Sequence, residues 1–295
     1  MMTELWDQYR SVIEFAMANA LFALASWIAM WAGVFSLAGA SFGAVGGFSA
    51  AYLDQTMQAG IIVQLLVGAI LGLLTAAILS VLLLKLESHW MAMATVALVL
   101  ITRVIILSAE KYTGGSVGTS ISRQIDLFVV LVLVAGVCYA LARLRRSRYG
   151  LAAHAVREDA AVAAALGVNP FQVRAIAFIA SGLVAGIAGV VLANLLRYIG
   201  PDTFFITLAF TMVAAMVLGG TYHWAGPIVG ALVFVGLPEV VKSYVQGIDE
   251  LMTGALLVAI MVFMPRGLID PRRRRRKETP TPDDAEATSR MEVAR

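Results

Sequence analysis

Ile61-Ile-Val-Gln-Leu-Leu-Val-Gly-Ala-Ile-Leu-Gly-Leu-Leu-Thr-Ala-Ala-Ile-Leu-Ser-Val-Leu-Leu-Leu84 carries no charged residue and no proline from end to end. It exceeds the roughly 20 apolar residues that an α-helix needs to cross a bilayer. Lipid satisfies no free backbone group, so a spanning segment is either a helix or part of a closed barrel. Barrel strands alternate apolar and polar residues, and this run does not. Comparable runs cover residues 12–32, 35–53, 90–108, 125–142, 175–197, 204–219, 226–241 and 251–264. The chain has 295 residues, 60% of them hydrophobic and 14% charged, with a mean hydropathy of +0.84. Together these features predict an all-α, polytopic transmembrane bundle of about eight to ten helices. Glycines 33, 39, 43, 46 and 47 crowd the second run, which is therefore either a span or a broken, re-entrant segment.

Charge sets the expected topology. The net charge of +3 hides two basic concentrations. One is the stretch 143–174, with Arg143, Arg145, Arg146, Arg148, Arg157 and Arg174 against only Glu158 and Asp159. The other is Arg272-Arg-Arg-Arg-Arg-Lys277. Short basic loops stay on the cytoplasmic side, so both are expected there, and neither is read as a nucleic-acid site. Residues 85–89 then face the cytoplasm and 110–123 the outside, with an external N-terminus if the first two runs both span. A membrane domain is expected over 1–271, followed by a basic and then disordered tail over 272–295, whose last part is too polar to bury a core. The N-terminus lacks the basic start and small-residue cleavage site of a signal peptide, so the first run is expected to be retained. Cys138 stands alone in an apolar run and is read as packing.

Inside the first basic stretch lies Arg157-Glu-Asp-Ala-Ala-Val-Ala-Ala-Ala-Leu-Gly-Val-Asn-Pro170. Acidic residues followed by alanines favour a short helix, with Glu158 and Asp159 at its start where the dipole welcomes negative charge. Gly167 fits a C-terminal cap, and Pro170 prevents continuation. Such a slender helix suits docking on a soluble partner; a solvent-exposed linker helix fits the same residues. An internal repeat is also visible. Gly33-Val-Phe-Ser-Leu-Ala-Gly-Ala-Ser-Phe-Gly-Ala44 aligns with Gly220-Thr-Tyr-His-Trp-Ala-Gly-Pro-Ile-Val-Gly-Ala231 at an offset of 187, with five of twelve positions identical. Gly33, Gly39 and Gly43 thereby match Gly220, Gly226 and Gly230, and glycines at fixed spacing let helices approach closely in lipid. Two related halves around a central pathway would give this pattern, as would a shared glycine-rich composition.

No Gly-x-x-x-x-Gly-Lys-Ser/Thr phosphate loop, no recognisable nucleophile–base pair and no metal-ligand spacing among His89, His154 and His223 is present. No catalytic residue, metal or cofactor is expected. Ionisable residues within spans are the default functional suspects. Glu14 and Lys242 sit near segment ends, Asp126 opens a segment near Arg123, and Arg197 closes one. Only Arg103 and Glu239 look partly embedded, and Arg103 is close enough to an end to snorkel. An ion-coupled carrier usually keeps embedded carboxylates, so the energy source is expected elsewhere.

Arg148-Tyr-Gly150, Arg157-Glu-Asp-Ala-Ala161, Ala165-Leu-Gly-Val-Asn169 and Ala177-Phe-Ile-Ala-Ser-Gly-Leu-Val-Ala-Gly-Ile-Ala-Gly189 resemble the signature of branched-chain amino acid ABC transporter permeases of the LivM type. Gly200-Pro-Asp202, Met216-Val-Leu-Gly-Gly220, Trp224-Ala-Gly-Pro-Ile-Val-Gly-Ala231, Leu237-Pro-Glu239 and Met264-Pro-Arg-Gly-Leu268 follow in the family's order. Upstream, Ser36-Leu37 and Thr113-Gly-Gly-Ser116 match as well, and the resemblance covers roughly residues 15–270. It implies a permease of an ATP-driven importer in an inner membrane, working with a second permease subunit in a homo- or heterodimer, cytoplasmic ATP-binding subunits and an external substrate-binding protein. Arg157, Glu158, Asp159, Ala160, Ala161, Leu166, Gly167 and Asn169 would then couple to the ATP-binding subunit. Arg103, Thr113, Gly114, Gly115 and Ser116 become candidate pathway or gate residues. The chain departs from the family at Ser36-Leu-Ala-Gly39, at Leu100 and at Val117, each time losing a polar group and leaving a less polar outer half. Branched-chain or related amino acids are the expected cargo; urea, amide or aromatic-acid transport, an ion-coupled carrier and a membrane scaffold are the alternatives.

Overall fold

The computed structural model describes residues 2–86, 88–122 and 125–236, with side chains described from Arg10 onward and, in the fourth helix, from Trp90. In chain order the helices are α1 (Met2–Trp31), α2 (Gly39–Met57), α3 (Ile61–Leu83), α4 (Ser88–Ser108) and the single turn α5 (Glu110–Thr113). After the two-residue strand β1 (Thr119–Ser120) come α6 (Leu127–Arg145), α7 (Arg148–Glu158), α8 (Ala160–Ala165) and α9 (Pro170–Leu196). Strand β2 (Tyr198–Ile199), α10 (Ile206–Gly219) and α11 (Gly226–Ala231) follow, α11 running on as a π-turn to Gly236. The architecture is the expected all-α polytopic bundle. Among the described residues, five helices are long and apolar enough to cross a membrane: α1 from Arg10, α3, α4 from Trp90, α6 and α9. The expected last span, Leu237-Pro-Glu239, Lys242, Met264-Pro-Arg-Gly-Leu268, the tail and Arg123 lie outside the described residues.

Burial divides the spans into two classes. In α1 and α9, 78% and 67% of the spanning window is buried, against 22% in each of α3, α4 and α6. The last three bury a single stripe and turn the rest of an apolar surface outward, as lipid-facing helices do. On α3 the stripe is Gln64, Gly68, Gly72, Ala76 and Ser80, one residue per turn; on α6 it is Val130, Val134, Cys138 and Leu141. Ile62, Leu66, Ile70, Leu74 and Ile78 line the exposed side of α3.

Small residues bring the central backbones together. A Cβ at Gly46 of α2 would strike the Gly186 carbonyl of α9, and one at Gly189 would strike the Gly43 carbonyl. On the other side, a Cβ at Gly72 would meet the Gly182 carbonyl, and one at Gly186 the Gly68 carbonyl. Helix α9 is thus gripped between α2 and α3 at backbone contact, where dispersion replaces the hydrophobic driving force that lipid does not provide. One buried polar pair crosses the same seam: Asn194 Nδ2 donates to Gln64 Oε1 at 3.0 Å. The glycines of α2 therefore do not break it. Gly39, Gly43, Gly46 and Gly47 sit within one continuous helix, and the interruption expected in this region falls before it, over residues 32–38.

The ends of the bundle are distinct. At one end Thr119 pairs with Ile199 and Ser120 with Tyr198, Arg10 bridges Glu14 at 2.8 Å and Asp126 at 3.2 Å, and the Asp54 carboxylate accepts from the Ser122 amide at 2.7 Å. At the other end, α7 lies against the turns that follow α1 and α10. Helices α1 and α10 both run toward the α7 end, where the two aligned segments begin.

Overpacking a close helix contact costs about 1–3 kcal/mol. Gly186→Val is expected to lose that much in a reversible unfolding titration in mixed micelles. Gly136 of α6 has nothing within 4 Å of its added Cβ, so Gly136→Val should shift stability by no more than about 0.5 kcal/mol.

Candidate functional site

The stretch between α6 and α9 builds a two-part element. Ser147 caps α7 by accepting from the Gly150 amide at 3.3 Å. Helix α7 then ends at Glu158, and Asp159, at φ −154° and ψ 111°, turns the chain. Its Oδ1 accepts from the amides of Ala161 and Val162 at 2.8 and 3.0 Å, which starts α8 as an Asx N-cap. Glu158 therefore closes one helix instead of opening the next, which corrects the single helix expected over 158–166. The break exists because an aspartate in extended conformation caps better than it extends a helix. Gly167 adopts φ +86°, the left-handed cap expected of it. Asn169 caps α9 from the Phe171 and Gln172 amides at 3.1 and 3.3 Å, and Pro170 takes the first helical position, so proline starts a helix here as well as stopping one.

The two parts face different ways. Helix α7 is anchored inward by Tyr149, whose hydroxyl donates to the Val173 carbonyl at 2.8 Å and whose ring meets Trp31 of α1 edge-on at 6.2 Å. Burial pushes the Tyr149 hydroxyl up to about 12, so it stays a donor. Arg157 also points inward. Its Nη1 donates to the Thr221 carbonyl at 2.9 Å, its Nη2 to Thr221 Oγ1 at 3.0 Å, and the guanidinium lies 4.9 Å from the Tyr222 ring centre. By contrast α8 and its flanks expose Val162, Leu166 and Phe171, with Leu166 at 78%. Among the residues expected to meet a partner, Glu158, Asp159, Ala161, Leu166, Gly167 and Asn169 are exposed, Ala160 is half-buried, and Arg157 is turned away.

The repeated segments form a matched pair of helix breaks at this end. Gly33 and Gly220 both have positive φ, +77° and +107°, and each follows the end of a helix. Gly39 and Gly226 both begin the next helix, after Ala38 and Ala225 in near-identical conformation. Between them the unlike residues Ser36 and His223 do the same work: Ser36 Oγ accepts from the Ala38 amide at 3.1 Å and His223 Nδ1 from the Ala225 amide at 3.2 Å. This shared side-chain bond is invisible as identity. Thr95 of α4 serves the first break by accepting from the Leu37 amide, and Trp27 serves the second by donating to the Thr221 carbonyl at 3.0 Å.

At the opposite end, Arg103 does more than snorkel. Its Nη2 lies 2.8 Å from Asp202 Oδ1 and the guanidinium 4.7 Å from the Phe205 ring, tying α4 to the turn after β2. Thr113 is buried, its hydroxyl within 2.6 Å of the Ile106 carbonyl, while Gly114 and Gly115 take positive φ and Ser116 is exposed. These residues form a tight turn docked on β2 through Thr119. A cleft of about 290 Å³ nearby is lined by Arg10, Glu14, Asp126, Asn194 and Arg197. Sequence reasoning missed Asn194 and Gln64, hidden as lone amides in apolar runs, and missed Gly68 and Gly72, although their four-residue spacing with Ala76 is a small-residue stripe.

A family model described as the branched-chain amino acid transport system permease component matches residues 9–264. The chain belongs to this permease family. The permease is 25% identical over 272 residues to LivM, the high-affinity branched-chain amino acid transport system permease protein of Escherichia coli K12, covering 80% of this chain and 64% of that protein. It is 33% identical over 130 residues to LivH of the same strain, 43% of this chain and 41% of that protein. BraD of Pseudomonas aeruginosa is 32% identical over 151 residues, or 50% and 47%. No solved structure matches. The permease spans 64% of the length of its LivM relatives, and the breaks and the α7–α8 element all fall inside the family match.

Burial, and then Arg145, push the His223 imidazole below its ordinary value of 6.5. A lowered value leaves the unfolded chain as the better proton acceptor, so His223 costs stability as pH falls below 6.5. NMR of the labelled imidazole should give a midpoint below 6.5 that rises in Arg145→Gln. His223→Ser, which copies Ser36, should keep the folded stability and lose its share of the pH dependence; His223→Leu should cost about 1 kcal/mol.

Proposed function

We propose that the chain is the permease subunit of an ATP-binding-cassette importer that carries branched-chain or related amino acids across an inner membrane. The observation that carries this reading is the division of labour in the α6–α9 connection. A helix anchored to the bundle ends in a short, alanine-rich helix whose apolar residues Val162 and Leu166, with Phe171, stand exposed where lipid-facing surface is not expected. Exposed apolar side chains grouped on a soluble face favour a protein partner. In this reading the partner is a cytoplasmic ATP-binding subunit, Asp159 sets the angle of the docking helix, and the α7 end faces the cytoplasm together with the basic residues 143–148. A second permease subunit completes the pathway. The presence of LivM and LivH, both named permease proteins of a high-affinity branched-chain amino acid transport system, in one strain supports a pair of unlike subunits.

The outer end supports a gate. Arg103 and Asp202 join α4 to the turn that leads into α10, and the Thr113–Ser116 turn leans on β2. An external binding protein would deliver solute at this end.

Purification with the cognate ATP-binding subunit and uptake of labelled leucine into proteoliposomes test the reading. Leu166→Asp puts a charge into the contact and should weaken the complex by about 2 kcal/mol or more, roughly thirtyfold in Kd, with loss of uptake. An intact complex and intact uptake in that variant would remove α8 as the docking element. Competition by valine and isoleucine, against urea and an aromatic acid, separates the cargo classes.

A further inference from the structure

We propose that Arg157 is the joint through which movement of α7 and α8 reaches both helix breaks at once. It rests on the ATP-driven importer reading. The side chain and the backbone of this one residue grip different copies of the repeat. The guanidinium fork holds both oxygens of Thr221, at 2.9 and 3.0 Å, and stacks near Tyr222, all within the second break. The backbone serves the first break: a Cβ built on Gly33 would lie 3.4 Å from Arg157 Cα, so α7 rests directly on the left-handed turn that ends α1. Helices α1 and α10 both finish at these turns, and Trp27 of α1 donates to the same Thr221 carbonyl. A shift of α7 therefore acts in one step on the turns that end two helices, α1 and α10, each turn opening one of the two aligned segments.

The chemistry fits a joint better than a surface contact. A planar guanidinium spans a carbonyl and a hydroxyl while lying on an aromatic face; an ammonium offers no such fork. The Thr221 carbonyl is open to two donors because Gly220 has already left the helix. The surroundings also permit movement. A cavity of about 230 Å³ lies against Gly33, Val34, Phe35, Met91 and Arg174, giving the first break space to shift without disturbing the glycine seam. Tyr149 holds the other end of α7 to α1 and α9, so α7 pivots there and swings at Arg157. Rigid elements switching between discrete packings are how such displacements travel.

The test uses the whole transporter in proteoliposomes, with ATP hydrolysis and leucine uptake measured on the same sample. Arg157→Gln should still co-purify with the ATP-binding subunit, while the ATP consumed per leucine moved rises about tenfold. Arg157→Lys, which keeps the charge without the fork, should fall between Gln and the native protein. Thr221→Val removes one acceptor and should raise the ratio less than Arg157→Gln does. A ratio that stays at the native level in Arg157→Gln, with uptake and hydrolysis falling together, overturns the joint, as does loss of co-purification. If Arg157→Gln does not fold, Thr221→Val decides, and an unchanged ratio there overturns it equally. Native uptake that proceeds without ATP is a separate failure, of the importer reading itself.

Discussion

Backbone contact between α9 and its neighbours α2 and α3 is the constraint on which the bundle depends. Water drives apolar surfaces together in a soluble core, but lipid tails are as apolar as leucine and provide no such drive. What holds helices together in lipid is close packing, supplemented by a few internal polar bonds. Here Gly43, Gly46, Gly68, Gly72, Gly182, Gly186 and Gly189 remove the side chains that would keep the axes apart. The Asn194–Gln64 bond then fixes the seam in register, since sliding by one turn would leave the buried Gln64 Oε1 without its donor. The peripheral helices need only one small or apolar stripe each, because their other faces meet lipid.

A rigid centre of this kind places the flexibility elsewhere. The two breaks are where the chain leaves helical geometry, and each leaves backbone groups that other elements must satisfy. Ser36 and Thr95 serve the first; His223, Trp27 and Arg157 serve the second. These partners include residues of α1, α4 and α7, so the breaks are joined to the bundle and to the connection that leaves it. The copies share a positive-φ glycine, a side-chain bond to the alanine amide and the start of the next helix while using different donors and acceptors, and the identities that persist are three glycines and two alanines.

The spans are legible in the sequence to within a few residues, because a run such as 61–84 is apolar on every face and nothing competes with helix in lipid. The α2 helix is harder. Its glycines read equally as breaks or as contact points, and only the partners on α9, far away in sequence, decide between them. The connection is legible in its cap at Gly167 but not in its division at Asp159, since helix propensity is smooth across Arg157–Ala165 and the aspartate acts through a local hydrogen bond. Arg157 reads as part of an outward-facing motif because a charge in a polar loop is ordinarily solvated. Its inward turn depends on a carbonyl 64 residues away, at a break whose geometry no local pattern reveals.

That distance between sequence neighbours and spatial partners bears on how a membrane protein can receive work from outside. A docking helix attached by flexible linkers would absorb a partner's movement as loop motion. Here the connection has little slack. Ser147, Asp159 and Asn169 each cap a helix from the loop side, Asp159 alone separates α7 from α8, and only Leu166 to Asn169 separate α8 from α9. With Tyr149 and Arg157 fixing α7 at both ends, a displacement of α8 by the proposed partner would have few soft places to dissipate before it met the turns that end α1 and α10. The glycine seam resists deformation in the same direction, because its backbones already touch. On the proposed coupling, movement would be steered toward the two breaks, which both carry a positive-φ glycine and the first of which adjoins a cavity, and away from the packed centre.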